Sequence, residues 1–281
     1  MRIDEVIVPA GLGEALTALK RNPGAVLCAG GTEIFSGTSA DRTEKPRTLV
    51  SLHSLPELRH VSRTDHYVEV GSMTTLSELL NLKEGFLPET LRGVVRGIGT
   101  FAVRNLATLG GNLSVADRFR DCFPVLACMD ALAEYRQGTL ARWVNLNRLI
   151  GADGTPELPG GELLTRIRIP LGEWDLGIAH KLGFPRINSR DSSQFVVLAR
   201  VEKRVLSDVR IMYSFGRALR NREIEAALGG KKIPLPSRDM ETAIGSYGSY
   251  CAQTGIPEST TARFLALVRR AFSQLNEGSS P

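Results

Sequence analysis

Apolar residues recur with two spacings along this chain, and their alternation predicts the elements. Glu5-Val6-Ile7-Val8 reads as a short strand closed by Pro9. Leu12, Ala15, Leu16 and Leu19 then repeat at helical spacing until Asn22-Pro23-Gly24 stops the pattern. Ala25-Val26-Leu27-Cys28-Ala29 is a continuous apolar run ending in Gly30-Gly31-Thr32, which predicts a buried strand feeding a glycine turn. Residues 47–52 predict another strand, with a polar loop before it.

Further along, Tyr67 to Gly71 predicts a strand. Thr75 followed by Glu78 fits a capping box, in which each side chain bonds the other residue's backbone N–H. Leu87, Leu91, Val94, Val95 and Ile98 mark one face of a helix over 87–98. A loop carrying Arg104-Asn105 and Thr108-Leu109-Gly110-Gly111-Asn112 is expected next, then a helix through Phe123-Pro124-Val125-Leu126-Ala127 and strands at 131–136 and 164–169. A boundary falls near 171–177. Beyond it the pattern predicts strands at 195–201 and 209–213 and a helix over 221–228 stopped by Gly229-Gly230. Two more helices follow at 237–253 and 258–275, then a loose end at Gly278-Ser279-Ser280-Pro281. The fold class expected is α+β, in two parts.

Composition narrows the function classes. The 281 residues are 42% hydrophobic, enough for one large or two modest cores. No run approaches the roughly 20 apolar residues of a membrane helix, and the N-terminus lacks a secretory apolar segment, so a cytoplasmic location is expected. The net charge of +5 is spread along the chain without a basic block, which argues against nucleic-acid binding. Cys28, Cys122, Cys128 and Cys251 have no metal-ligand spacing, and neither do the four histidines, so no metal site is expected.

The candidate chemistry lies in Gly30-Gly31 and Gly110-Gly111, each followed by a small polar residue. Glycine permits positive φ and close approach of a ligand. Successive N–H groups in such turns form concave nests that bind phosphate oxygens. Two such nests could grip a pyrophosphate, or each pair could simply make a tight turn. Gly11 and Gly13 begin a G-x-G, but Leu16 takes the third glycine position of a dinucleotide fingerprint. No P-loop and no G-x-S-x-G is present, so hydrolytic machinery is absent from the pattern.

Cys28-Ala29-Gly30-Gly31-Thr32-Glu33, with Val103-Arg104-Asn105-Leu106-Ala107-Thr108-Leu109-Gly110-Gly111-Asn112, resembles the flavin subunit of the xanthine dehydrogenase and carbon monoxide dehydrogenase family. The likeness continues through Gly71 to Leu76, Asp121 to Leu126, Glu162 to Pro170 and Lys181-Leu182-Gly183. It implies a vanillyl-alcohol-oxidase-like (PCMH-type) FAD-binding domain over 1–173, of two subdomains split near 53–60, and a small C-terminal α+β domain over 174–281. By the same resemblance, Leu27, Cys28, Ala29, Gly30, Gly31, Thr32, Glu33 and Ile34 line a first pyrophosphate loop, and Thr108, Leu109, Gly110, Gly111 and Asn112 form a second. Ile98 would lie against the cofactor, or be a core residue. Asp121 would bond the adenosine part, or cap a helix. Leu164 would touch the flavin, or be core. Lys181 would stand near the isoalloxazine and stabilise charge on the reduced ring, or be an ordinary surface lysine. The chain departs from the family at Asp117-Arg118, where Ser-Pro is usual, and at Phe101-Ala102.

The function implied is an oxidoreductase subunit that holds FAD and carries electrons from [2Fe–2S] clusters to NAD or another acceptor. No residue of this chain is assigned as catalytic. Substrate hydroxylation would occur on a molybdopterin-binding partner, with an iron–sulfur subunit as second partner. The alternatives are a stand-alone flavoenzyme of the same fold, or a scaffold subunit that has lost FAD.

Overall fold

The computed structural model describes residues 2–35, 46–115, 120–183 and 192–278. The expected loop before residue 46, Asp117-Arg118 and Ser279-Ser280-Pro281 lie outside the described residues. In the N-terminal stretch, β1 (Arg2–Ile7), α1 (Leu12–Arg21), β2 (Val26–Cys28) and β3 (Pro46–Ser51) build a parallel sheet of order β1-β3-β2. The buried face of α1, Ala15, Leu16 and Leu19, packs with Leu52, Leu55, Leu58 and Met73 in a small core.

A second, antiparallel sheet has the order β4-β5-β8-β6-β7. Its strands are β4 (Val61–Arg63), β5 (Tyr67–Gly71), β6 (Leu132–Gln137), β7 (Leu140–Asn145) and β8 (Leu163–Pro170). Five helices lie between β5 and β6 in the chain: α2 (Leu76–Leu80), α3 (Glu89–Arg96), α4 (Phe101–Leu106), α5 (Leu109–Leu113) and α6 (Cys122–Cys128). Most of them, with one face of the sheet, form the largest core, centred on residues such as Val70, Leu91, Val95, Phe123, Leu126 and Ile167. All seven residues of α6 are buried.

The remaining residues make β9 (Leu176–Leu182), β10 (Ser193–Glu202), β11 (Val205–Ser214) and β12 (Ala218–Leu219), an antiparallel sheet of order β12-β11-β10-β9. Helices α7 (Arg222–Leu228), α8 (Ser237–Gln253) and α9 (Glu258–Glu277) follow. They cover one face of this sheet, where Phe264 stacks on Tyr213 and meets Tyr247 and Phe195 edge-on. Strand alternation gives β10 two allegiances: Phe195 and Val197 enter this core, whereas Val196 and Leu198 enter the larger one. Among the described residues, no helix is long and apolar enough to cross a membrane.

Two expectations are corrected. The segment 101–113, expected as a loop, forms α4 and α5, because Thr100 and Thr108 cap them by accepting hydrogen bonds from Val103 N–H and Gly111 N–H. Strands β4, β7, β9 and β12 were not predicted; Val61-Ser62-Arg63 and the mostly exposed Leu140-Ala141-Arg142 lack the apolar alternation that marks a half-buried strand.

Candidate functional site

The two glycine turns meet in space. An ideal Cβ on Gly30 would lie 1.7 Å from the Leu106 carbonyl oxygen and 2.4 Å from its carbon. The first turn is therefore pressed, backbone to backbone, against the end of α4, immediately before the second. A Cβ on Gly111 would lie 3.8 Å from Ala29 Cβ, across the gap between the turns. Gly31 has φ +70, and its carbonyl accepts from Phe35 N–H at 2.9 Å. The first turn opens directly from β2, whose last residue, Cys28, accepts from Leu52 N–H at 2.8 Å.

The two turns differ in the donors they offer. Among the described residues, no hydrogen bond takes up the N–H groups of Gly30, Gly31 and Thr32. In the second turn the four N–H groups after Thr108 are engaged: Leu109 donates to Thr74 O, Gly110 to Ser72 O, Gly111 to Thr108 Oγ1 and Asn112 to Thr108 O. Of the two readings open for each glycine pair, nest or tight turn, Gly110-Gly111 takes the second, with its own amides bonded. The second turn is the first turn of a helix, knitted to residues 72–76 by these bonds, by Leu76 N–H to Ala107 O at 2.9 Å and by a bridge between Thr75 and Thr108. Beside it, the buried hydroxyls Ser72 Oγ and Thr74 Oγ1 have no hydrogen-bond partner among the described residues. These residues belong to the quoted motifs, yet nothing in their spacing marks the hydroxyls as orphans.

Side chains lock this region together. Asn112 Oδ1 accepts from Cys122 N–H at 3.1 Å, so Asn112 supplies the helix α6 contact, and Asp121 makes no capping bond. Glu33 of the first turn pairs with the buried Arg120, a residue to which sequence reasoning assigned no role. Asp121 Oδ2 instead lies 2.9 Å from Lys181 Nζ, with only 8% and 15% of the two side chains exposed. The resemblance assigns Asp121 to the adenosine part and Lys181 to the isoalloxazine of a dinucleotide; here one ion pair joins them. Ile98 and Leu164 are packed in the larger core at 4% and 5% exposure. Thr108, Leu109 and Gly110 are also buried, whereas Gly111 is exposed and residues 27–34 keep partial exposure.

The surroundings are apolar and open. Phe35, Phe101, Val103 and Leu106 are exposed, and α4 buries none of its side chains. The nearby thiols are poor nucleophiles: burial raises the pKa of Cys28, and burial with the Asp121 charge raises that of Cys122. Among the described residues, no group of three or more His, Cys, Asp or Glu could hold a metal ion. A cavity of about 550 Å³ along α7 and α8 and one of about 570 Å³ around Arg142, Trp143 and Arg148 both lie away from the turns.

Comparison with known proteins gives this region a family. A profile described as the FAD binding domain in molybdopterin dehydrogenase matches residues 2–172, more than half the chain. The xanthine dehydrogenase FAD-binding subunit of Escherichia coli O157:H7 is 29% identical over 57% of this chain and 56% of its own length. The glyceraldehyde dehydrogenase medium chain of Sulfolobus acidocaldarius is 24% identical over 79% of each chain. The nicotinate dehydrogenase FAD-subunit of Eubacterium barkeri is 26% identical over 60% of this chain and 59% of its own. This chain thus spans a little over half the length of the first of these relatives, at 56%. Among solved structures, a chain of the carbon monoxide dehydrogenase of Hydrogenophaga pseudoflava superimposes with a TM-score of 0.85 at 22% identity, over 100% of this chain and 99% of that one. A chain of quinoline 2-oxidoreductase from Pseudomonas putida 86 gives 0.78 at 21% identity, over 98% and 97%. Those two likenesses establish the mixed helix-and-sheet fold, and the profile match establishes the lineage: the chain belongs to the family of FAD-binding domains of molybdopterin dehydrogenases.

Proposed function

We propose that this chain holds FAD where its two glycine turns meet, and serves as the electron-transferring flavin subunit of a molybdopterin-dependent hydroxylase or dehydrogenase. The observation that carries the reading is the contact of Gly30 with Leu106 and the facing of Gly111 and Ala29, in segments about eighty residues apart in the chain. The residues fit the group. The unengaged N–H groups of Gly30, Gly31 and Thr32 suit phosphate oxygens, and the orphaned Ser72 and Thr74 hydroxyls suit further polar atoms of a large ligand. In this reading the second turn contributes mainly shape: its engaged amides hold Gly111 rigid and bare, so a cofactor can approach the backbone closely. FAD, when bound, supplies a junction between one-electron carriers and a two-electron acceptor such as NAD.

The relatives are named as FAD-binding subunits and the matched family as a molybdopterin dehydrogenase domain, which supports partner subunits. The family resemblance implies that these are an iron–sulfur and a molybdopterin subunit, and the exposed apolar residues of α4 lie close to the cofactor turns. Residues 1–173 would then be a vanillyl-alcohol-oxidase-like (PCMH-type) FAD domain of two subdomains, and 174–281 a C-terminal α+β domain that contributes Lys181. The test is flavin content. The purified chain should carry FAD or take it up, and Gly111→Val should lower FAD affinity by about tenfold or more. Among the described residues a Cβ at Gly111 meets side-chain atoms alone, Thr108 Oγ1 at a tight 3.0 Å and Ala29 at 3.8 Å, so a small shift of Thr108 should let the variant keep its circular dichroism while the gap is filled. Undiminished FAD binding in Gly111→Val would remove the two-turn site.

A further inference from the structure

Helix α6 is gripped at both ends by the sheet β9–β12 and its flanking segment. At its start, Lys181 of β9 holds Asp121 at 2.9 Å. At its end, Arg210 Nη1 of β11 donates to the Cys128 carbonyl at 2.6 Å, and Arg220 Nη1 donates to the Ala127 carbonyl at 3.2 Å. These carbonyls belong to the last turn of the helix, where a cation is favoured by the helix dipole; Ala127 O also accepts from Asp130 N–H at 3.1 Å and from Asn147 Nδ2 at 2.9 Å. Both arginines are themselves oriented. Arg210 pairs with Asp130 and Asp208 and lies over Trp174; Arg220 pairs with the buried Glu225 and donates to Asn147 Oδ1 at 2.9 Å.

The same helix carries the glycine turns. Cys122 N–H holds Asn112 of the second turn, and Arg120, two residues earlier, holds Glu33 of the first. A helix of seven residues has little stability of its own, and apolar burial fixes neither its axial position nor its rotation. Directional bonds at its two ends do. We infer that the C-terminal sheet is a clamp that sets the position of α6, and through it the spacing between the two turns, with Arg210, Arg220 and Lys181 as positioning residues for cofactor binding. The cofactor half of this inference rests on the FAD reading above; the mechanical half does not.

The experiment uses the full chain and two readouts. Arg210→Met and Lys181→Met are compared with Phe264→Leu, which loosens the core on the other face of β10 without touching α6. Hydrogen exchange, measured without cofactor, should speed up about tenfold at the Gly111 and Cys122 amides in the two clamp variants, and not in the control matched for thermal stability. FAD affinity should weaken about fivefold to tenfold in the same two variants, with partial rescue by Arg210→Lys. Unchanged exchange at these amides, or unchanged affinity despite faster exchange, overturns the clamp. A wild-type chain that takes up no FAD removes the proposed cofactor, and the exchange data then decide the clamp independently.

Discussion

Glu134 shows how a single buried charge is made useful. Its carboxylate is nearly inaccessible on β6, yet it accepts bonds from Arg166, Arg136 and Thr165. Burial alone would raise its pKa; the bonds from Arg166, Thr165 and Arg136 and the Arg166 charge outweigh it and bring the value down to about 2, from 4.5. A depressed carboxylate stabilises the fold above its unfolded pKa, and that contribution fades as pH falls from about 4.5 toward about 2. The two arginines are about one-third exposed, so screening leaves on the order of 1–2 kcal/mol. In urea unfolding, wild type should exceed Glu134→Gln by that amount at pH 7, and the gap should narrow below pH 4.5. A gap that stays constant down to pH 3 would contradict it. Little of this was legible in Ala133-Glu134-Tyr135-Arg136, where a carboxylate in a strand carries no mark of Thr165 and Arg166, its two partners distant in sequence. The glycines were legible to a degree. Gly31 does need a positive φ, but the need for Gly30 comes from the Leu106 carbonyl, which only the fold brings near.

At the scale of elements, local chemistry was readable at Thr75 and Glu78, where both partners lie within one turn of chain. Thr75 and Glu78 were expected to form a capping box, and both bonds are present, at 3.1 Å and 2.7 Å. α2 has only five residues, so this box is a large part of what starts it. Its first amide, Leu76 N–H, also bonds Ala107 O, so a frayed α2 would loosen the α4–α5 junction beside the glycine turns. Thr75→Ala should cost about 1 kcal/mol in urea unfolding, and Thr75→Ser should recover most of it. Equal losses in both variants would show that the Oγ bond contributes nothing. The misread loop at 101–113 has the opposite cause. Phe101, Val103 and Leu106 give α4 no buried side, so the apolar periodicity that identifies amphipathic helices was absent there. The caps Thr100 and Thr108 were the available signal, and the glycine pair masked it.

The whole molecule has its largest core and its C-terminal core on opposite faces of one strand. Val196 and Leu198 of β10 pack with α6 and the central sheet, and Phe195 and Val197 pack with α8 and α9. The sequence marked β10 as a strand, but a continuous apolar run cannot tell which residue serves which core, because burial on both faces erases the alternation. A strand shared in this way leaves neither core complete without the other, and Arg210, Arg220 and Lys181 add polar ties across the same boundary. The expectation is one cooperative unfolding transition, although chains above about 150 residues often show more than one. Leu198 is fully buried on the face toward the larger core, so Leu198→Ala should destabilise by about 2–5 kcal/mol. Phe264→Leu acts on the other face. Followed by calorimetry, both variants should lower the same single transition, because each weakens a face of the one strand that both cores need. Two separated transitions, with Leu198→Ala moving one and Phe264→Leu the other, would mean that β10 joins two cores which fold independently. The clamp on α6 would then have to act by its polar ties alone.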